Sequence, residues 1–264
     1  MSTDDGILLA DESTENDELR DFDELNDPGD DELSDFDDEE IEIELVVLDM
    51  AGTTVIDDGL VERAFEAAAR EAGIAEDGEQ LQTALQYVRE TMGQSKIEVF
   101  RALAVDEDQA QHANAAFETA YADFIATDGA EAVAGAEDAI RRLRAAGTKV
   151  VLTTGFARET QQAIIASLGW EDLVDLVLSP SDAGRGRPHP DLPLTALLRT
   201  GTSQVGAVVV VGDTASDIKS GHAAGAGLVV GVLTGAHDEE TLTAAGADAV
   251  IDSIAELPEL LGLD

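Results

Sequence analysis

Residues 45–54 read Leu45-Val46-Val47-Leu48-Asp49-Met50-Ala51-Gly52-Thr53-Thr54, with Ile41 and Ile43 just ahead of them. An apolar run that ends in one carboxylate and then a Gly/Thr turn predicts a buried strand. It delivers Asp49 to the carboxyl edge of a sheet, where open α/β sheets bind their ligands. A buried carboxylate is costly unless it is paired or holds a metal. Asp49 is therefore the first candidate nucleophile.

Outward from this run, strand-like segments alternate with helical ones. The strand-like segments are 41–48, 149–153, 173–178, 207–211, 228–232 and 249–251. Helical patterns over 136–146 and 159–168 stop at Gly147 and Gly169, as helices commonly do. This alternation predicts an α/β fold, a doubly wound Rossmann-like parallel sheet with helices on both faces. The stretch from Gly59 to Ala132 reads as helices alone, over 60–72, 79–91, 94–104 and 107–126. That is too much helix for a crossover and predicts an all-helical domain inserted after strand 1. The expected division is an acidic tail over 1–40, a core over 41–58 and 133–264, and a helical insert over 59–132.

Fifty-seven acids face 15 bases, for a net charge of −42. Residues 1–44 hold 21 acids and one base, Arg20, which leaves −22 on the remainder. The tail has too little apolar surface to offset its ordering entropy and is expected to be disordered. Its scattered Leu19, Phe22, Leu25, Leu33 and Phe36 allow a short docking helix as the alternative. Acids spread along the whole chain, with three lysines only (Lys96, Lys149, Lys219), point to a halophilic protein adapted to concentrated salt, with a surface built to meet a basic partner as the alternative. In such salt self-repulsion is screened over roughly 3 Å at about 1 M. The absence of a basic stripe argues against nucleic-acid partners. No apolar run is long enough to span a membrane, and the acidic N-terminus lacks the basic start of a secretory leader. A cytoplasmic monomer or homodimer is expected. Zero cysteine excludes disulfides and thiolate metal sites.

Three further strings carry chemistry. Val150-Val151-Leu152-Thr153-Thr154-Gly155 ends a strand in hydroxyls able to bind a phosphoryl oxygen, beside a glycine that lets backbone N–H approach. Gly184-Arg185-Gly186-Arg187-Pro188-His189-Pro190 supplies cations. Val208–Val211 leads into Gly212-Asp213-Thr214-Ala215-Ser216-Asp217. Two acids four apart at a turn-to-helix start suit Mg²⁺, which takes hard oxygen ligands; helix capping is the plainer alternative.

In this order the four strings resemble the motifs of the haloacid dehalogenase superfamily of hydrolases. The usual second Asp of its first motif is Ala51 here, which looks like the phosphonoacetaldehyde hydrolase branch. The resemblance covers Ile41 to about Leu261. It implies a helical cap that closes over the nucleophile and sets substrate choice. It implies Asp49 as nucleophile and Thr154 as the phosphate-binding hydroxyl, with Thr153 the fallback. Arg187 would be the cation on the phosphoryl group, with Gly52 and Gly155 also on the phosphate. Mg²⁺ would be held by Asp49, the Ala51 carbonyl and Asp213, with Asp217 acting through water or orienting the site.

The insert adds Met92-Gly93-Gln94-Ser95-Lys96, similar to the Met-Gly-x-x-Lys of phosphonatases, whose lysine forms a Schiff base with the aldehyde substrate. This implies that Met92 and Gly93 line the substrate site and that Lys96 is catalytic. Two departures stand out. Val99 occupies the position of the phosphonatase histidine, and Met50 that of an aromatic. The implied function is an Mg²⁺-dependent phosphonatase-like hydrolase of a small phosphonate or phosphate, through an aspartyl phosphate. The alternatives are a phosphomonoesterase of phosphoglycolate phosphatase type and a non-catalytic acidic binding protein. His189 is read as structural, His112, His222 and His237 as surface or capping residues, and Trp170 as packing.

Overall fold

The structure is a computed structural model and describes residues 42–263. The expectations for the tail, residues 1–40, lie outside the described residues. Six parallel strands form one sheet: β1 (Leu45–Asp49), β2 (Lys149–Thr153), β3 (Leu176–Leu178), β4 (Val208–Gly212), β5 (Leu228–Val232) and β6 (Ala249–Ile251). Their order is β3-β2-β1-β4-β5-β6. The chain leaves β1 toward one edge and later returns to β4 on its other side. The carboxyl ends of β1 and β4 thus flank a topological switch point, where such sheets form a crevice.

Alternation along each strand sorts the core. Val46, Leu48, Val150, Leu152, Val209 and Val211 face one side. There they meet Ala139, Ile140 and Leu143 of α5 (Ala136–Ala145) and Ile164 of α6 (Arg158–Leu168). Leu45, Val47, Val151 and Val210 face the other side, against Leu192 and Ala196 of α8 (Asp191–Thr200). Helix α9 (Ala215–Ala224) lies along β4 and β5 through Ile218 and Val229. Each such fully buried Val or Leu contributes roughly 1.5–3 kcal/mol. Short helices α7 (Pro180–Ala183), α10 (Glu239–Ala244) and α11 (Leu257–Leu260) complete the core.

Between β1 and β2 the chain forms α1 (Leu60–Glu71), α2 (Gly78–Glu90), α3 (Lys96–Leu103) and α4 (Glu107–Asp128). Helix α4 packs along α1 and α3. Phe65, Phe100, Phe117 and Tyr121 form their aromatic centre, with neighbouring ring centroids between 4.7 and 6.2 Å.

Two strand starts lie three or more residues later than the sequence expectation. The first strand begins at Leu45, where pairing with Lys149 and Val208 starts; residues 42–44 precede it without strand structure, and Ile41 lies outside the described residues. The third begins at Leu176 and not Leu173. The carboxylate of Asp175 accepts the Val150 N–H at 2.9 Å, so a side chain ties down the approach to this edge strand. Leu173 and Val174 are still buried, as turn residues. Trp170 is buried and packs, as expected. Among the described residues no helix is long and apolar enough to cross a membrane.

The charge has a stability consequence. Melting temperature is expected to rise steeply between about 0.1 M and 1 M KCl, as the Debye length shortens from roughly 10 to 3 Å. A melting curve independent of salt would remove the halophilic reading.

Candidate active site

Asp49 ends β1 and the next residues fold tightly back. The amides of Thr53, Thr54 and Val55 all donate to the Met50 carbonyl, at 3.2, 2.9 and 2.8 Å, and the Thr54 hydroxyl donates to the Asp49 carbonyl at 2.9 Å. Gly52 makes this turn at φ +90°, and a Cβ there would overlap Asp213 Oδ2. Asp213 follows β4 and accepts the Ala236 N–H at 2.8 Å and the Thr53 hydroxyl at 3.2 Å. Asp217 sits in the first turn of α9. One oxygen completes a capping box with the Thr214 N–H and hydroxyl, and the other accepts Arg187 Nη1 at 2.5 Å. Capping and the contact to Arg187 therefore coexist at Asp217.

Carboxylate oxygens of Asp49, Asp213 and Asp217 lie within 4.8 Å of one another, and all three residues are buried. Arg187 Nη1 contacts Asp49 Oδ1 at 2.5 Å, and Nη2 donates to Thr153 Oγ1 at 3.3 Å. Burial would lower the Arg187 pKa, but Asp217 and Asp49 more than offset it, so the guanidinium stays charged. Burial pushes Asp49 up to about 6 against the pull of Arg187, with Asp217 adding to the rise. Burial and the Asp49 charge hold Asp213 well above the usual carboxylate range. Among the described residues, three buried carboxylates thus share a single guanidinium. Hard oxygen donors with surplus negative charge are the donor set that a divalent cation of the Mg²⁺ type requires.

A cavity of about 450 Å³ opens over this cluster. Asp49, Ala51, Gly52, Met92, Gly93, Lys96, Thr154, Gly155, Arg187 and Asp213 all line it. Among the expected site residues, Asp217 and the fallback hydroxyl of Thr153 stand behind the wall. The Thr154 hydroxyl accepts the Phe156 N–H at 3.2 Å, which leaves its own proton to donate. Thr153 is engaged by Arg187 and does not line the cavity, so the geometry favours Thr154 of the two.

Lys96 is buried at the start of α3. Its Nζ lies 5.1, 5.7 and 5.8 Å from the ring centroids of Phe156, Phe65 and Phe117. Among the described residues no carboxylate pairs with it directly. Burial pulls its pKa down, while the charges of Asp57 and Asp49 pull it up. A lysine so placed moves toward the neutral, nucleophilic amine.

The segment 92–95 seats this lysine by lying directly on the core. A Cβ at Gly155 would come 2.6 Å from the Gln94 carbonyl oxygen, and one at Gly93 would meet Thr214 Oγ1 at 2.3 Å. Glu118 of α4 ties the same two layers together. It accepts the Ala157 N–H at 3.1 Å and the Thr160 hydroxyl at 2.5 Å, at the open N-terminus of α6. Gly155→Ala is expected to lift the helical layer from the core and to cost roughly 10²-fold in kcat/KM, the scale of a misplacement near 1 Å. Unchanged kinetics would show that this contact does not set the site.

The sequence reading did not single out Asp57, Glu118, Thr53 or the aromatic box. His237 proves to be a capping residue with a further position on the cavity wall: its Nδ1 accepts the Ala215 N–H at 2.9 Å. The signal for Asp57 was an acid just ahead of α1, and in so acidic a chain it carried no contrast.

The family model of haloacid dehalogenase-like hydrolases matches residues 43–225. The chain is 29% identical over 216 residues to a phosphonoacetaldehyde hydrolase of Bacillus cereus, covering 75% of this chain and 78% of that one. Among solved structures, it is similar to a phosphonoacetaldehyde hydrolase-like protein from Oleispira antarctica, with a TM-score of 0.72, 25% identity, and coverage of 83% and 91%. A putative phosphoglycolate phosphatase from Lactobacillus delbrueckii shares the fold, with a TM-score of 0.68, 20% identity, and coverage of 83% and 98%. With four motifs in order at one sheet edge and a family model matched over most of its length, this chain belongs to the haloacid dehalogenase-like hydrolases.

Proposed function

We propose that the protein is a phosphonatase-like hydrolase that cleaves the C–P bond of a small phosphonate bearing a β-carbonyl group. The observation that carries this reading is the buried Lys96 amine, boxed by three aromatic rings on the wall of the cavity that also holds Asp49. The neutral amine condenses with the carbonyl to an iminium. Asp49 attacks phosphorus, and the C–P electron pair moves onto carbon to form an enamine. Water then hydrolyses the aspartyl phosphate. Arg187, Thr154 and backbone N–H groups orient and stabilise the transferring phosphoryl group. Asp49, the Ala51 carbonyl and Asp213 would hold Mg²⁺, which supplies charge neutralisation to the phosphoryl oxygens. Asp217 fixes Arg187. Because the enamine absorbs the electrons, no acid is needed at position 51, where the chain has Ala51. The helices over 59–132 would act as the cap that excludes water.

The test is borohydride trapping in concentrated salt with Mg²⁺ and phosphonoacetaldehyde, read by mass on Lys96, with phosphate release followed in parallel. A reduced adduct on Lys96 together with phosphate release is the expected result. Hydrolysis of ordinary phosphate esters without an adduct would move the protein to the phosphomonoesterases and leave Lys96 as a binding residue.

A further inference from the structure

Forming an iminium on Lys96 requires an acid. The amine lone pair adds to the carbonyl carbon, and a proton passes from nitrogen to oxygen to give the carbinolamine. Its hydroxyl then leaves as water only after taking a proton from a donor, which is left as its conjugate base. Three residues beyond Lys96, one helical turn on, the chain offers only the buried Val99. The donor must come from elsewhere.

The groups around Lys96 differ sharply in fitness for this step. Asp49 and Asp213 belong to the phosphoryl end. Glu118 has both carboxylate oxygens engaged, by the Ala157 N–H and by the Thr160 hydroxyl, and it lines a separate cavity on the far side of Lys96. Glu62 is paired with Arg89. The Tyr121 hydroxyl is buried without a partner among the described residues, but burial drives its pKa up and makes it a poor acid. Asp57 remains. It lines the same cavity as Lys96 and Asp49 and is half-buried. Its Oδ1 accepts the Val61 N–H at 3.1 Å, at the start of α1. Of the charges that act on Lys96, that of Asp57 is the largest. Burial raises its own pKa, toward the range in which a carboxyl can hold a proton during turnover.

We propose that Asp57 is the acid–base partner of Lys96. This rests on the phosphonatase-like reading above. Asp57 gives its proton to the departing hydroxyl of the carbinolamine and becomes a carboxylate as water and the iminium form. It takes a proton back when water hydrolyses the product iminium to the free aldehyde and the Lys96 amine. The proton that converts the enamine to that product iminium is balanced by the one released on hydrolysis of the aspartyl phosphate.

The experiment compares wild type, Asp57→Asn and Asp57→Ala in the borohydride trap, following the rate at which the Lys96 adduct appears, with phosphonoacetaldehyde and Mg²⁺ in concentrated salt. Asp57→Asn retains an oxygen that can accept the Val61 N–H, so its melting temperature is expected to match wild type. Its adduct is expected to form about 10²-fold more slowly or worse, the usual scale of general acid–base catalysis. Added formate is expected to recover part of the rate in Asp57→Ala by supplying the missing carboxyl. An adduct forming at the wild-type rate in Asp57→Asn overturns the proposal and leaves the phosphonatase-like reading standing. Slow trapping that formate does not rescue, with a lowered melting temperature in both variants, assigns Asp57 to capping α1 and also overturns it. No adduct in wild type removes the phosphonatase-like reading and this inference with it.

Discussion

Asp49→Asn is expected to abolish turnover and, at the same time, to make the metal-free protein more stable. A nucleophile that acts as a unit with its surroundings typically carries a factor of roughly 10⁴ or more in kcat. An amide cannot attack phosphorus to give the acyl phosphate. The stability change has the opposite sign. Asp49 shares its surroundings with Asp213 and Asp217 and has one guanidinium for relief. Its folded pKa is raised from 3.8 to about 6. The folded state therefore binds more protons than the unfolded state between these values, and stability falls as pH rises through that window. Above it the penalty is complete, about 3 kcal/mol at 1.36 kcal/mol per unit. Asn removes the charge and still offers an oxygen to Arg187. The melting temperature of metal-free Asp49→Asn should thus exceed that of wild type at about pH 8, and the gain should vanish by about pH 4. Added Mg²⁺ should close the gap by stabilising wild type, since a ligand that binds only the native state raises its stability. Loss of activity with no gain in stability would mean that Asp49 is already neutralised in the metal-free protein.

Why some of this was legible in the sequence and some was not follows from the range of the forces involved. The runs Leu45–Leu48, Val150–Leu152 and Val208–Val211 announce strands because hydrophobic patterning is local, and each ends in its polar residue at the same sheet edge. Lys96 stands out by its place in the Met92-Gly93-Gln94-Ser95-Lys96 string, and the more so in a chain with only three lysines. Asp57 and Glu118 do not, because they are two acids among 57. Only their half-buried positions separate them from the solvated majority, and burial is a property of the tertiary fold. The true start of β3 was hidden for a similar reason. Leu173 and Val174 are apolar enough for a strand, but Asp175 takes the backbone N–H of Val150 across the sheet. The aromatic box is likewise assembled from distant parts of the chain. Phe65 comes from α1, Phe117 from α4, and Phe156 from the loop after β2.

The division of labour at the site also separates two layers. On the proposed function, the core would supply what phosphoryl transfer needs: Asp49 as nucleophile, Arg187 as cation, Thr154 as hydroxyl and a set of carboxylates. The helical insert supplies Lys96 and most of the rings around it, while Gly93, Gly155 and Glu118 hold the insert against the core. On the proposed reading, a substrate would be met by a phosphoryl-binding floor and an amine-bearing wall, and the second would decide which bond is broken.

Lys96→Met tests that wall most directly and is expected to produce the second large effect. Met has a similar length and fills the aromatic box without a charge. Borohydride trapping should disappear, and phosphate release from phosphonoacetaldehyde should fall by roughly 10³-fold or more, the scale of losing a group that works as one unit with the nucleophile. Stability should rise. The Lys96 pKa is lowered in the folded state, chiefly by burial. The folded protein therefore holds this proton less tightly than the unfolded chain, and the charged lysine is a penalty at every pH below its folded value. That penalty fades only as pH rises toward the ordinary lysine range. Attraction to the three rings and to the Asp57 and Asp49 charges offsets part of it. A variant that melts higher and turns over no phosphonate would identify Lys96 as a residue kept for chemistry at the expense of stability. A variant that melts lower, with hydrolysis of phosphate esters intact, would make Lys96 a packing element and return the site to a simple phosphatase.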